Sequence, residues 1–215
     1  MKILLLTKSN DSGRQADVSL RRLLSGADIE TVFANLGDRC PERPSWRCDC
    51  LISFLCPWIL PSSVLEQAGD TLNFHPGPPE YPGFGCYNFA LYDGVAEYGV
   101  TCHRMVVPVD SGEIVGVRRF KVGPDTTAGE LQRQSHEALI SLYTEVVAKL
   151  GRGEELPACA EWVRPPTTRA DFESLRQIPI DADREEVLRR VRAFAHPDHE
   201  GAFIELHGER FVVPY

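Results

Sequence analysis

The sequence predicts an α/β fold: a mostly parallel sheet flanked by helices, with a small C-terminal α+β extension that ends in a hairpin. Three observations carry the prediction. Short apolar runs at 2–7, 29–33, 49–55 and 71–75 have the continuous character of strands buried on both faces. They alternate with stretches whose apolar residues recur at helical spacing, as in 16–24 and 126–150. At the far end, 202–206 and 211–213 flank His207 and Gly208 as two strands flank a turn.

In chain order, 2–7 is the first strand, and Ser9 to Gly13 reads as a loop. The helix over 16–24 is marked by Val18, Leu20, Leu23 and Leu24. Residues 29–33 are the second strand, and 37–46 is a polar, proline-containing connection. The third strand is 49–55. A short helix follows from Pro61 to Glu66, with Ser62 as its N-cap. The fourth strand is 71–75. A short helix over 88–92 ends at Gly94. Residues 99–107 alternate like a strand, and 114–122 is another. The clearest helix is 126–150, with Leu131, Ala138, Leu139, Leu142, Val146 and Leu150 on one stripe and Gly151 ending it. Residues 161–179 read as irregular, 183–194 as an amphipathic helix. The alternation describes a Rossmann-like domain over 1–155, with 156–215 as an extension packed on it. Such sheets place ligands beyond the carboxyl ends of their strands.

With 215 residues and 43% hydrophobic content, the chain can bury a sizeable core. A net charge of −8 argues against a nucleic-acid partner held by its phosphates. No apolar run is long enough to span a membrane, and the start lacks the features of a signal peptide. The expectation is a cytoplasmic protein with seven reduced cysteines. Cys40, Cys48 and Cys50 lack the paired spacing of a metal site, so no metal is expected. The basic run Arg189, Arg190, Arg192 reads as a solvated helix face.

The chemistry concentrates between Thr71 and Asp110. Asn73 and His75 are two apart on a strand and so point the same way, with Phe74 on the other face. An amide donor beside an imidazole suits a carbonyl that must become an oxyanion. Asp110 can orient the imidazole or accept a proton. The same spacing also fits a capping pair at a strand end, and Asp110-Ser111-Gly112 fits a plain turn.

Two segments, NFHPGPPEYPGFGCYNFAL and GVTCHRMVVPVDSGEIV, resemble the folate-dependent formyltransferase family. The matching residues are Asn73, His75, Pro76, Tyr81, Gly83, Gly99, Val100, Thr101, His103, Asp110, Gly112 and Ile114. The resemblance implies that an amine attacks the formyl group of 10-formyltetrahydrofolate directly, with Asn73, His75 and Asp110 as the catalytic residues. It implies a folate pocket whose backbone is supplied by Leu55, Pro57, Trp58, Ile59 and Leu60. Val64 lines that pocket and Val107, Val109 and Asp110 form its other wall. Trp58 fits a core aromatic equally well. The resemblance places His103 near the site in a structural role. It assigns the amine pocket to Gly77, Pro78, Tyr81, Gly83 and Phe84. Here the chain departs from the family pattern, with Gly77-Pro78-Pro79-Glu80 in place of Ser-Leu-Leu-Pro.

The segment from Arg164 to Phe172, together with Arg192-Ala193-Phe194 and 201–204, resembles the tail of sugar-nucleotide N-formyltransferases. That implies a small-molecule substrate, the amino group of a nucleotide-linked amino-deoxysugar used in O-antigen and related glycan synthesis. The glycine-rich phosphate loop of the purine-pathway enzymes is absent after the first strand. The chain is also short for the tRNA-directed enzymes. Other small amines, formyltetrahydrofolate hydrolysis and a non-catalytic folate-binding role remain open. The C-terminal hairpin offers a surface for a homodimer.

Overall fold

The chain alternates strand and helix as far as its fourth strand and then reverses direction. The computed structural model describes residues 1–43 and 45–214. Its elements are β1 (Lys2–Lys8), α1 (Asp11–Leu23), β2 (Asp28–Ala34), β3 (Cys48–Phe54), α2 (Ser62–Leu65), β4 (Ala68–His75), α3 (Cys86–Asp93), β5 (Glu97–Arg104), β6 (Ile114–Lys121), α4 (Ala128–Gly151), α5 (Arg169–Arg176), α6 (Arg184–Ala193), β7 (Phe203–Leu206) and β8 (Glu209–Val212). The first six strands form one sheet in the order β2-β1-β3-β4-β5-β6. β1 to β4 run parallel, and β5 and β6 are antiparallel. The expected mostly parallel α/β sheet with a C-terminal hairpin is therefore the observed fold.

The two faces of the sheet are used differently. One face packs Leu5, Ile52, Phe54, Leu72, Phe74, Val100 and Cys102 against α1 and α4, through Leu20, Leu139, Leu142 and Tyr143. Phe74 is fully buried, its ring edge-on to Tyr143 at 4.8 Å between centroids. The other face holds a smaller cluster of Leu4, Leu6, Trp46, Leu51, Leu60 and Val64. Beyond that cluster, the same face presents Asn73 and His75. A third cluster joins the C-terminal segment to the body. Phe172, Leu175, Phe194 and Ala202 pack with Tyr81, Ala90, Leu91 and Leu131.

Several boundaries differ from expectation. The segment from Asp11 to Gly13 is the first turn of α1 and not a loop, because Asn10 Oδ1 accepts from the Gly13 N–H and caps it. Ser62 is not an N-cap: Pro61 occupies that position and no side chain caps the helix. β4 starts at Ala68, three residues early, paired with Cys48. β5 ends at Arg104, before the cis Val107–Pro108 bond, rather than at Val107. Gly151 lies within α4, and the helix is capped by Arg152 ahead of Gly153 at φ 67°. α5 was expected as irregular chain. Its start is fixed by a reciprocal cap between Thr168 and Asp171, and its apolar side is little more than Phe172 and Leu175. The expected connection at 37–46 includes Pro44, which lies outside the described residues.

Candidate active site

β4 delivers Asn73 and His75 to one face, and β5 delivers His103 opposite Asn73 in the antiparallel register. Directly opposed residues share a face, so the register brings Asn73 Nδ2 to 3.0 Å from His103 Nε2. Asp110 arrives on the loop after β5. Its carboxylate sits between the two imidazoles: Oδ2 lies 3.3 Å from His75 Nδ1 and Oδ1 lies 3.1 Å from His103 Nε2. Gly83 N donates to Oδ2 at 2.9 Å, and Asn73 Nδ2 donates to Oδ1 at 3.4 Å. The three predicted catalytic residues therefore meet, and His103 joins them at the same carboxylate.

Both imidazoles are nearly out of solvent, His75 at 5% and His103 at 2% exposure. The second nitrogen of each faces a backbone carbonyl, Tyr81 O at 3.0 Å for His75 and Arg104 O at 2.9 Å for His103. Both nitrogens of His75 thus face acceptors, a pattern in which either ring proton is held. Burial by itself would raise the Asp110 carboxyl. The charge of His75, the hydrogen bond and charge of His103, and the Gly83 N–H outweigh burial and hold it well below the usual carboxylate range. Asp110 is therefore an anion at neutral pH. It adopts φ 45°, a left-handed conformation uncommon for a side-chain-bearing residue, which the surrounding hydrogen bonds must sustain.

The predicted amine-pocket residues form the wall beside His75. A Cβ on Gly77 would lie 2.5 Å from His75 Nε2 and 2.7 Å from Tyr81 O, so the backbone passes directly against the imidazole. Thr101 Oγ1 donates to Gly77 O at 2.6 Å and fixes that approach. Pro78 is buried in the same turn, and its carbonyl accepts from Tyr81 N at 2.9 Å. The Tyr81 hydroxyl donates to Asp93 at 2.8 Å, and the Arg164 guanidinium lies over the ring at 4.2 Å. Gly83 requires φ 89°, while Phe84 is exposed with Arg169 over its ring. Burial pushes the Cys86 thiol beside this wall up to about 12 and the Cys56 thiol up to about 11. Neither is a ready thiolate nucleophile at neutral pH.

The predicted folate residues divide into two groups. Leu55 leaves β3 with φ 54°, turning the chain out of the sheet. Pro57 and Trp58 are partly buried, and Trp58 Nε1 donates to Asp38 O at 2.9 Å. Leu60 and Val64 are buried in the core under the loop, whereas Ile59, Val107 and Val109 are exposed. The backbone N–H and C=O groups of Ile59 and Leu60 have no protein partner among the described residues, which suits backbone recognition of a pterin ring. A cavity of about 440 Å³ lies between α2 and the chain after β5, lined by Ser62, Glu66, Asp70, Thr71, Met105 and Val107. It meets the predicted folate residues only at Val107. Thr71, two residues before Asn73 on the same strand face, separates it from the carboxylate cluster.

Sequence reasoning missed Trp162. It lies fifty residues beyond Gly112, in the stretch expected to be irregular, yet its ring packs against both site imidazoles. The available signal was a lone tryptophan in an otherwise polar, proline-rich stretch.

Residues 45–147, which supply every strand and loop of this cluster, match the family model described as formyl transferase. Across its whole length the chain takes the shape of a sugar N-formyltransferase from a Shewanella species. The TM-score is 0.84 at 16% identity, covering 100% of this chain and 97% of that one. An N-formyltransferase from Helicobacter canadensis, in complex with folinic acid and dTDP-3-aminofucose, matches with a TM-score of 0.76 at 14% identity. That match covers 98% of this chain and 86% of the other. By sequence, a methionyl-tRNA formyltransferase of Lactobacillus delbrueckii subsp. bulgaricus is 26% identical over 186 residues, 86% of this chain. The chain spans 58% of the length of that relative. Among the described residues, no helix is long and apolar enough to cross a membrane.

Proposed function

We propose that the chain is an N-formyltransferase that moves the formyl group of 10-formyltetrahydrofolate to the amino group of a nucleotide-linked amino-deoxysugar. The observation that carries this reading is the convergence of Asn73, His75 and ionised Asp110 on one sheet face. In this reading 1–155 is the catalytic unit and 156–215 an extension packed on it.

The substrate amine attacks the formyl carbon, a C–N bond forms, and the carbonyl oxygen becomes an oxyanion. Asn73 Nδ2 is the donor for that oxygen, and the His75 ring stabilises the tetrahedral adduct. Asp110, an anion in the resting site, holds both imidazoles and with His75 takes the proton that the amine must lose, which is then passed on to the departing folate N10. Collapse of the adduct breaks the bond to folate N10, which gains a proton. The exposed backbone at Ile59 and Leu60, with Val107 and Val109 opposite, would hold the folate. Full-length similarity to sugar N-formyltransferases, one of them bound to an aminosugar nucleotide, supports the choice of amine.

Single-turnover transfer from 10-formyltetrahydrofolate to a panel of nucleotide-linked amino sugars tests the proposal. Glycinamide ribonucleotide and charged initiator tRNA serve as competitors, and formate release without amine reports hydrolysis. Formylation of an amino sugar that is abolished by Asn73→Ala is the expected result. The reading fails if no amine is formylated and wild type is indistinguishable from Asn73→Ala.

A further inference from the structure

Residues 159–167 cross the reaction centre from outside and bond to both of its loops. Cys159 N donates to Ile114 O at 2.9 Å, on the Asp110 side. Val163 N donates to Pro79 O and Thr167 N to Pro82 O, each at 3.0 Å, on the His75 side. Phe84 N donates back to Thr167 O at 2.9 Å. Trp162 lies in the middle of this strap. Its Nε1 donates to Gly112 O at 2.7 Å, two residues after Asp110. Its ring stands at 79° to His103, 5.1 Å between centroids, and at 71° to His75, 6.1 Å away. One side chain therefore touches the carboxylate loop and both imidazoles that flank the carboxylate.

We propose that Trp162 is a positioning residue of the reaction centre: its indole N–H fixes the loop that carries Asp110, and its ring shields the His75–Asp110–His103 cluster from water. The kinetic part of this inference rests on the formyl-transfer reading; the geometric part does not.

Two features show why the loop needs such a hold. Asp110 sits in a left-handed conformation, uncommon for a side-chain-bearing residue although aspartate tolerates it better than most. Gly112 lies so close to the end of β5 that a Cβ would fall 2.0 Å from Arg104 O. The loop is pressed against β5 from one side, and the indole N–H is the side-chain contact that grips its carbonyl. Indole N–H is a donor only, so the bond has one sense and cannot be exchanged for an acceptor. Ser111 Oγ, donating to Pro108 O at 2.6 Å, is the loop's internal tie.

The test uses W162F, which keeps a ring and loses the donor, and W162L, which loses both. Each is measured in the full chain for kcat, for KM toward 10-formyltetrahydrofolate and the amine, and for the pH titration of the Asp110 carboxyl by 13C NMR. W162F should lower kcat about tenfold, the equivalent of one hydrogen bond. W162L should lower it roughly 100-fold, as small displacements of reacting groups do. KM should change little in either, because the lost interaction serves the transition state. In both variants the Asp110 carboxyl should titrate closer to the ordinary carboxylate range than in wild type. A folded W162L with wild-type kcat and wild-type Asp110 titration overturns the proposal. If W162L does not fold, an unaltered Asp110 titration in W162F overturns it. If wild type formylates no amine, the function reading fails while the carboxyl titration still decides the role of Trp162.

Discussion

Gly77→Ala is a one-methyl perturbation aimed at the base of the reaction centre. Gly77 does not have positive φ, so alanine brings no backbone strain and the effect is steric alone. Its Cβ would stand 2.5 Å from His75 Nε2, about 0.9 Å short of the 3.4 Å where ordinary contact begins, and 2.7 Å from Tyr81 O. Those two atoms are the partners of the 3.0 Å hydrogen bond that holds the imidazole, so the methyl group intrudes on the bond itself. Retreat is blocked elsewhere, because Cys86 Cβ lies 3.0 Å from the same point. Overpacking costs about 1–3 kcal/mol and a disrupted buried hydrogen bond about 1–3 more. With partial relaxation, about 2–4 kcal/mol of stability should be lost, or roughly 5–15 °C in Tm. A displacement of His75 approaching 1 Å should lower kcat about 100-fold. Formyl transfer under single-turnover conditions measures the chemistry, and calorimetry measures folate binding and Tm separately. Folate affinity should hold, since the predicted folate backbone lies at Ile59 and Leu60. A folded Gly77→Ala protein with wild-type kcat would refute the placement of His75 at the reacting centre.

Asp110→Asn removes the charge between the imidazoles and should lower kcat by about 10²–10⁴-fold in the same assay. Because the folded carboxyl is held below its ordinary value, the stability contributed by Asp110 is complete above about pH 4 and is lost as pH falls further. Urea unfolding should therefore show wild type ahead of Asp110→Asn at pH 7 and the gap narrowing below pH 4; a gap independent of pH contradicts the ion-pair account. Phe74→Ala should cost about 3–5 kcal/mol by emptying the space against Tyr143, read as a lower urea midpoint. Thr127→Ala removes the reciprocal cap with Glu130 at the start of α4 and should lower stability by about 1 kcal/mol with no change in kcat.

The central sheet was open to reading because strands buried on both faces leave an unbroken apolar record, as at Leu4-Leu5-Leu6 and Leu51-Ile52. Asn73, His75 and Asp110 were found by type, spacing and resemblance. Contacts set by tertiary register left less trace. By alternation alone His103 reads as one more polar residue; the resemblance places it near the site, and only strand pairing sets it opposite Asn73. Trp162 reaches the same cluster through a strap without periodicity, held by single backbone bonds that no local pattern encodes. α5 escaped notice because its start depends on a reciprocal cap and its packing on two apolar side chains. The first turn of α1 was hidden by polar residues that serve equally as turn formers and caps.

The alternation along β4 divides the labour of successive residues. Asn73 and His75 face the Asp110 carboxylate, whereas Leu72 and Phe74 face the core. Either set can drift under its own constraint without disturbing the other. Length has no such freedom. Adding or deleting one residue between Leu72 and Phe74 would turn the phenyl ring toward the Asp110 carboxylate and the imidazole toward the core, exchanging the faces of everything beyond it. This strand can tolerate changes of letter far more readily than a change of count.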